Sequence, residues 1–461
     1  MAVDKSYTAE ERYQIKKDLM DNKIPERVFV NLSLGLGVLA DYAGLQRAEV
    51  MWHPELLTDT VKEICTKFTS DVQPWGGNVL QPSVYQEMGA INIVMSEKGF
   101  MQHPNTQALL DEDLDDFIKD PLACIVEKCF PRIYKNLDYS AIGPRSQYTW
   151  AMMFMATADN GSAAIPRAEI QKLRDEYKWY QGYLGNPAEN CSGYTTFDLM
   201  TDQLRSFTEI CKDLRRRPEQ IMDCLEAFYP LSYKLSLPGK QSPYSSCGHA
   251  LHMGMFLNRK QFEKFYWKFW KRENEDHAAA GIRTSAFCEG DWMPFLDYLQ
   301  ELPAQSQLQF EKGDPKIVKE KLGKRHILAG FFPISSVGTL KKEELLDNLK
   351  ELLDTMMPGG NYEFKFDKSA ISLADIDIDN MAALSEFLYK NGKFDNAGAT
   401  AGDAFDRSLY TDSGMHDNFH SKYYRTWEQY KAANPNTPES ARDMVMGWEE
   451  AMLKRMTFFL K

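Results

Sequence analysis

Between residues 244 and 367 the chain repeats one unit: a β-branched or aromatic run, then a helix-forming stretch. The extended segment YSSCGHALHMG leads into the helix RKQFEKFYWKFWKRENE, the strand GIRTSAFCEGD and the helix MPFLDYLQEL. The strand SQLQFEKGD, the helix PKIVKEKLG, the strand RHILAGFFP, the helix KKEELLDNLKELLDTMMP and the strand NYEFKFD complete the series. Strands separated by helices cannot pair as hairpins, and they demand parallel neighbours joined by right-handed crossovers. The fold class is therefore α/β. A (β/α)8 TIM barrel is the economical closure, and a doubly wound open sheet is the competing one.

The first half is more helical. The opening MAVDKSYTAEERYQIKKDLMDNK reads as a polar helix, IPERVFVNLSLGLG as a strand ending in glycines, and ELLTDTVKEICTKFTSD as a helix. Residues 105 to 135 are acidic and helical, and the stretch from Thr195 to Leu235 reads as two helices separated near Pro218. The last 60 or so residues are polar and aromatic with a final helix. They read as an appendage covering the barrel mouth or a subunit interface.

Charge and cysteine usage exclude whole classes of partner. The 54 basic and 66 acidic residues leave a formal charge of −12, which repels a phosphate backbone and an anionic bilayer. Neither nucleic acid nor a membrane is expected to bind. No stretch of about 18 apolar residues occurs. The eight cysteines form no CxxC pair and are too sparse for a disulfide framework, so they read as reduced thiols in a cytoplasmic protein.

In a parallel barrel all strands end on one face, where the loops leave room for chemistry. The strand ends here run into Glu289 and Asp291, then Glu311 and Asp314, then Asp367 and Lys368. Acids in such places also cap helices, and Asp291 and Asp314 stand at good capping positions. Glutamate is a poor cap, so Glu289 and Glu311 are the stronger functional candidates. His252 follows an extended stretch and falls on the same rim. His326 begins its strand and falls on the opposite, structural face, and His249 reads as a residue directed into the barrel. The GLGVLA segment matches a dinucleotide fingerprint at Gly35, Gly37 and Ala40 but lacks the acid-terminated second strand that ribose recognition needs. The aromatic run from Phe262 to Trp270 reads as packing.

The stretches HALHMGMFLNRKQFEKFYWKFWKR, AFCEGDWMPFLDYLQELP, LQFEKGDPKIVKEKLGKRHILAGFFP and LLDTMMPGGNYEF together resemble the uroporphyrinogen decarboxylase superfamily. They are most similar to its cobalamin-dependent methyltransferase branch, and the likeness covers about residues 10 to 395. The decarboxylases' RxxGRY motif is missing. Where thiol-methylating members carry His-x-Cys, this chain has Phe287, Cys288 and Glu289, and the run EGDW from Glu289 to Trp292 is similar to the ether-cleaving methyltransferases.

The resemblance implies a (β/α)8 barrel over residues 1–400 with helical N-terminal additions, and a C-terminal helical extension over 401–461. It implies O-demethylation: a methyl group passes from a methoxylated aromatic substrate to the cob(I)alamin of a separate corrinoid protein. Departure of the methyl group leaves a phenoxide, whose conjugate acid has a pKa of roughly 10, so that oxygen must meet a Lewis acid or a proton. His252, Glu289 and Glu311 are the expected ligands of a Zn²⁺ ion or, without metal, a proton-donating cluster, with Asp291 and Asp367 in support. Trp75, Tyr85, Phe256 and Trp292 are expected to line the aromatic pocket. A methylamine or thiol as the small methyl carrier, a non-catalytic binding barrel, and a homodimer closed by the extension stay open.

Overall fold

The computed structural model describes residues 7–75, 82–137, 167–180, 190–456 and 460. Its strands are β1 (Phe29–Val30), β2 (Val94–Met95), β3 (Met101–Gln102), β4 (Asn190–Tyr194), β5 (Ser246–Leu251), β6 (Arg283–Asp291), β7 (Gln307–Lys312), β8 (Ile327–Gly330) and β9 (Glu363–Phe364). β4 to β8 form one parallel sheet in chain order, as strand–helix alternation requires. β1 and β9 pair in parallel, and β2 and β3 form a small antiparallel pair. Isolated parallel bridges from Leu328 to Tyr362 and from Phe332 to Phe366 tie the β8 and β9 segments together. A further bridge, Leu34 to Trp75, sets the segment after β1 beside residues 70–75.

Strand periodicity sorts the side chains into two rows. On β5, β6 and β7 one row comprises Cys247, His249, Leu251, Ala286, Cys288, Leu308 and Phe310, all buried, with the helix Lys268–Ala279 packed against this layer. The other row comprises Gly248, Ala250, Ser285, Phe287, Gln307 and Gln309, which are half-exposed and line a cavity of about 340 Å³ together with Ser192, Tyr194, Ala329, Glu363 and Lys365. A second cavity of about 260 Å³ shares Gly248, Ser285, Gln307 and Lys365 with the first. His249 thus faces the helices, which corrects the inward placement expected for it.

The helices keep the spacing that burial asks of them. In Lys342–Met356 the buried residues Leu345, Leu349, Leu352, Leu353 and Met356 make a single stripe. Asp314 caps Pro315–Leu322 by accepting from the N–H groups of Lys316 and Ile317, with Pro315 in the first turn. Pro218 opens the helix Pro218–Leu235 just after Phe207–Arg216 ends, at the expected break. MPFLDYLQEL is not one continuous helix: a 3₁₀ turn, Met293–Phe295, precedes a single α-turn, Leu296–Leu299. The N-terminal helix Ala9–Met20 is capped by a reciprocal Thr8–Glu11 box, and Arg12, Ile15, Leu19 and Met20 on it are buried.

Segments of the C-terminal region hydrogen-bond to outer elements rather than to the strand-end rim. Ser413 donates through its N–H and hydroxyl to Asp276, Lys422 through its N–H to Asp120, and the Lys234 ammonium lies 2.6 Å from Glu450. Its last long helix, Arg442–Met456, leaves Met444, Trp448 and Met452 exposed at four-residue spacing. No disulfide joins the described cysteines, and no described helix is long and apolar enough to cross a membrane.

Candidate active site

Continuing the cavity rows upward by one pleat reaches the candidate residues themselves. Gly248 and Ala250 lead to His252, Ser285 and Phe287 to Glu289, and Gln307 and Gln309 to Glu311. The period of two therefore delivers an imidazole and two carboxylates to one rim. His252 Nε2 lies 3.3 Å from Glu289 Oε2, and its Nδ1 lies 2.5 Å from Asp202 Oδ2. Asp202 comes from the helical turn Met200–Arg205, which follows β4. The Tyr194 ring, which lines the cavity, meets the His252 ring edge-on at 5.6 Å, so it links the cavity to the imidazole.

Burial alone would lower the His252 pKa. The hydrogen bond to Asp202, followed by the charges of Asp202, Asp198 and Glu289, outweighs burial and raises the value to about 9. His252 is therefore an imidazolium at neutral pH, held between two carboxylates. Beneath it, Asp198 is fully buried and accepts from Tyr266 Oη at 2.6 Å and from the Met253 N–H at 2.8 Å. Burial, and then the neighbouring Asp202 charge, push its pKa up to about 6.

Glu311 is near this group but otherwise engaged. Its Oε2 accepts from the Gly290 N–H at 2.7 Å and its Oε1 from Lys368 Nζ at 2.8 Å. The Lys368 contact holds its pKa below the usual carboxylate value. Asp291 accepts from the Met293 N–H at 2.9 Å, so its side chain serves the turn, in line with the capping alternative. Asp367 is buried and accepts from the N–H groups of Ile334 and Lys368; burial raises its pKa.

The aromatics expected at the pocket separate. Trp292 is fully buried in a cluster with Phe262, Tyr266, Trp270 and Phe295, and its indole N–H donates to the Glu289 carbonyl at 3.0 Å. It positions Glu289 from behind instead of lining the cavity. Trp75 is buried edge-on against Trp179, and Tyr85 is buried with its pKa pushed up to about 12. Phe256 is 57% exposed and packs edge-on against Phe207, itself 44% exposed. The rings that do line the cavity are Tyr194 and Phe287.

Gly290 explains why two acids flank a glycine. Its φ is +75°, in a region unfavourable for residues with a side chain, and a Cβ there would lie 1.8 Å from Met255 Sδ. That turn is what offers its N–H to Glu311. Gly290→Ala should cost about 1–3 kcal/mol, read as a lowered denaturation midpoint, and should displace Glu289 from His252.

The cavity also holds a charge arrangement that the sequence reading missed. Glu363 is buried and lies between two ammonium groups: Lys16 donates to it, and Lys365 Nζ is 2.5 Å away. Burial would raise the Glu363 pKa, but the two lysines hold it at about 2. Glu363 and Lys365 line the cavity of about 340 Å³, while Lys16 lines the adjoining one of about 260 Å³, where burial lowers its pKa.

Ligand atoms within 4.8 Å of one another define two candidate metal clusters among the described residues, Cys247–His249–His277 and Asp276–Asp412–His416. Neither is the expected trio. No protein-family model matches the chain, and no curated protein matches it.

Proposed function

We propose that the parallel strands close into a (β/α)8 barrel and that the chain is an O-demethylating methyltransferase acting on a methoxylated aromatic acid. The observation that carries this reading is the His252 imidazolium held between Asp202 and Glu289 above a cavity walled by Tyr194 and Phe287. Strands β4 to β9 all contribute to the cavity or its bridged wall, which is the arrangement a barrel provides.

An aryl methyl ether is neutral, and breaking its O–CH₃ bond leaves charge on the phenolic oxygen. His252 Nε2–H donates to that oxygen as the bond breaks, and Asp202 and Glu289 stabilise the cation until then. A cob(I)alamin carried by a separate corrinoid protein supplies the nucleophile that accepts the methyl group. The Lys365 ammonium on the cavity wall suits a substrate carboxylate, and a volume of about 340 Å³ suits a single ring.

Zinc at the rim would do similar work as a Lewis acid, but the residues present fit it poorly. His252 and Glu289 converge, whereas both Glu311 oxygens are taken by Gly290 and Lys368. Two protein ligands fall short of the three that catalytic zinc uses. Proton donation by His252 is the reading that the contacts favour.

The test is methyl transfer from a panel of methyl donors to cob(I)alamin, followed by its spectral change. Methoxybenzoates should react with a lower KM than methoxyphenols without a carboxylate, and methylamines and thioethers should be inert. Turnover of a methylamine in place of every methoxyarene would overturn the reading.

A further inference from the structure

We propose that Cys247, His249, Glu273 and His277 form a buried site for a divalent transition metal of the zinc class, on the helix-facing side of the sheet and separate from the rim. Two local periodicities build it. Cys247 and His249 are two residues apart on β5 and share its helix-facing row, while Glu273 and His277 are four apart on Lys268–Ala279 and share one helix face. The strand and the helix thus each contribute a pair of ligands.

Two of the spacings match a tetrahedral shell, and Glu273, which is not within 4.8 Å of all three other ligand atoms, closes it by a turn of its side chain. Zn–S of about 2.3 Å and Zn–N or Zn–O of about 2.1 Å put tetrahedral neighbours about 3.6 Å apart for S and N, and about 3.4 Å apart for N and O. Cys247 Sγ lies 3.7 Å from His249 Nε2, and that nitrogen lies 3.3 Å from Glu273 Oε1. The Cys247, His249 and His277 ligand atoms all fall within 4.8 Å of one another. Ser236 Oγ engages His277 Nε2 at 2.9 Å, the outer contact that orients a ligating imidazole and leaves Nδ1 as its free nitrogen.

An ordinary hydrogen-bond network accounts for these groups badly. His277 Nδ1 and Glu273 Oε2 are buried with no hydrogen-bond partner among the described residues. Each such atom costs about 1–3 kcal/mol, and two in one cluster point to a missing common partner. A divalent ion with one thiolate, one carboxylate and two neutral imidazoles carries no net charge, so burying the loaded site avoids the penalty of a lone ion. Loading releases the thiol proton of Cys247. The nearby Asp276–Asp412–His416 cluster lacks this signature, because Ser413 and Tyr229 already satisfy both Asp276 oxygens.

Full-length protein from zinc-supplemented culture should retain one zinc per chain through dialysis, measured by elemental analysis. Exchange with Co²⁺ should give a thiolate-to-cobalt charge-transfer band together with tetrahedral visible absorption. Cys247→Ser should remove that band and weaken zinc binding by more than about tenfold. His252→Gln should keep both the zinc and the band, since the rim is a different place. Zinc that is lost in His252→Gln but kept in Cys247→Ser would overturn the proposal. So would a wild-type chain that takes up neither ion, or one whose cobalt form lacks the thiolate band, a result that holds even if Cys247→Ser fails to fold.

Discussion

Replacing His252 with Gln should lower methyl transfer from a methoxybenzoate by roughly 10²- to 10⁴-fold, the usual contribution of a positioned general acid. The fold should survive, because the side chain stands at a partly exposed rim and, among the described residues, contacts Asp202, Glu289 and the Tyr194 ring. Glutamine can hydrogen-bond to the phenolic oxygen but cannot give up a proton. The pH profile separates donation from mere polarity. With its pKa raised to about 9, His252 is the protonated donor below that value, so the rate should hold through neutral pH and fall as the pH rises through about 9. The Asp202 hydrogen bond and charge are the strongest raising influences, so Asp202→Asn should move the falling limb toward lower pH. A wild-type rate that stays flat well past pH 9, or a His252→Gln variant as fast as the parent, would remove His252 from the chemistry.

How far this site could be read from the sequence depends on which contacts are local. His252, Glu289 and Glu311 meet because each continues an inward row of its own strand, and that period is visible in the letters. Asp202 was invisible because it belongs to a helical turn after β4, and only the packing of that turn beside β5 brings it to His252. Lys368 changed the meaning of Glu311 for a similar reason: an acid that looked like a ligand is half of an ion pair. Trp292 was misread because an aromatic after a strand suits a pocket as well as a core. Its indole N–H found the Glu289 carbonyl and its faces found Phe262 and Trp270. Among the secondary-structure elements, the longer strands and the leucine-striped helix were legible. MPFLDYLQEL was not, because ten residues with Pro294 near the start can settle into two short turns when Phe295, Leu296 and Leu299 are all drawn into the core. The Cys247–His249 and Glu273–His277 pairs each show a same-face spacing, yet which strand face meets which helix face is decided only in the fold.

Asp71→Asn should be the most destabilising substitution of a polar group, at about 3–5 kcal/mol, because it breaks a buried charge network from its centre. The Asp71 carboxylate accepts from Arg12 at 2.5 Å, from both terminal nitrogens of Arg27 at 2.6 and 2.7 Å, from the Val30 N–H at 2.8 Å and from Tyr389 Oη at 2.8 Å. Those partners come from the N-terminal helix, the β1 segment and the helix Ile378–Asn391, so one side chain joins three parts of the chain. Asparagine keeps the shape but leaves two guanidinium groups buried without a counter-charge, and the Nε atoms of both arginines already lack partners among the described residues. Burial would raise the Asp71 pKa, yet the Arg27 and Arg12 charges hold it below the ordinary carboxylate value. A depressed folded-state pKa contributes stability above the unfolded value of about 3.9 and loses it as the pH falls through the folded one. The deficit of Asp71→Asn in urea or thermal unfolding should therefore be full at neutral pH and shrink in acid. Adding Arg12→Met should recover part of the loss, since it removes one of the two stranded cations, whereas two independent sites would simply add their costs. A variant within about 0.5 kcal/mol of the parent at neutral pH would mean that water or another anion reaches these arginines, and the network would lose its place as the joint between the N-terminal helix and the sheet.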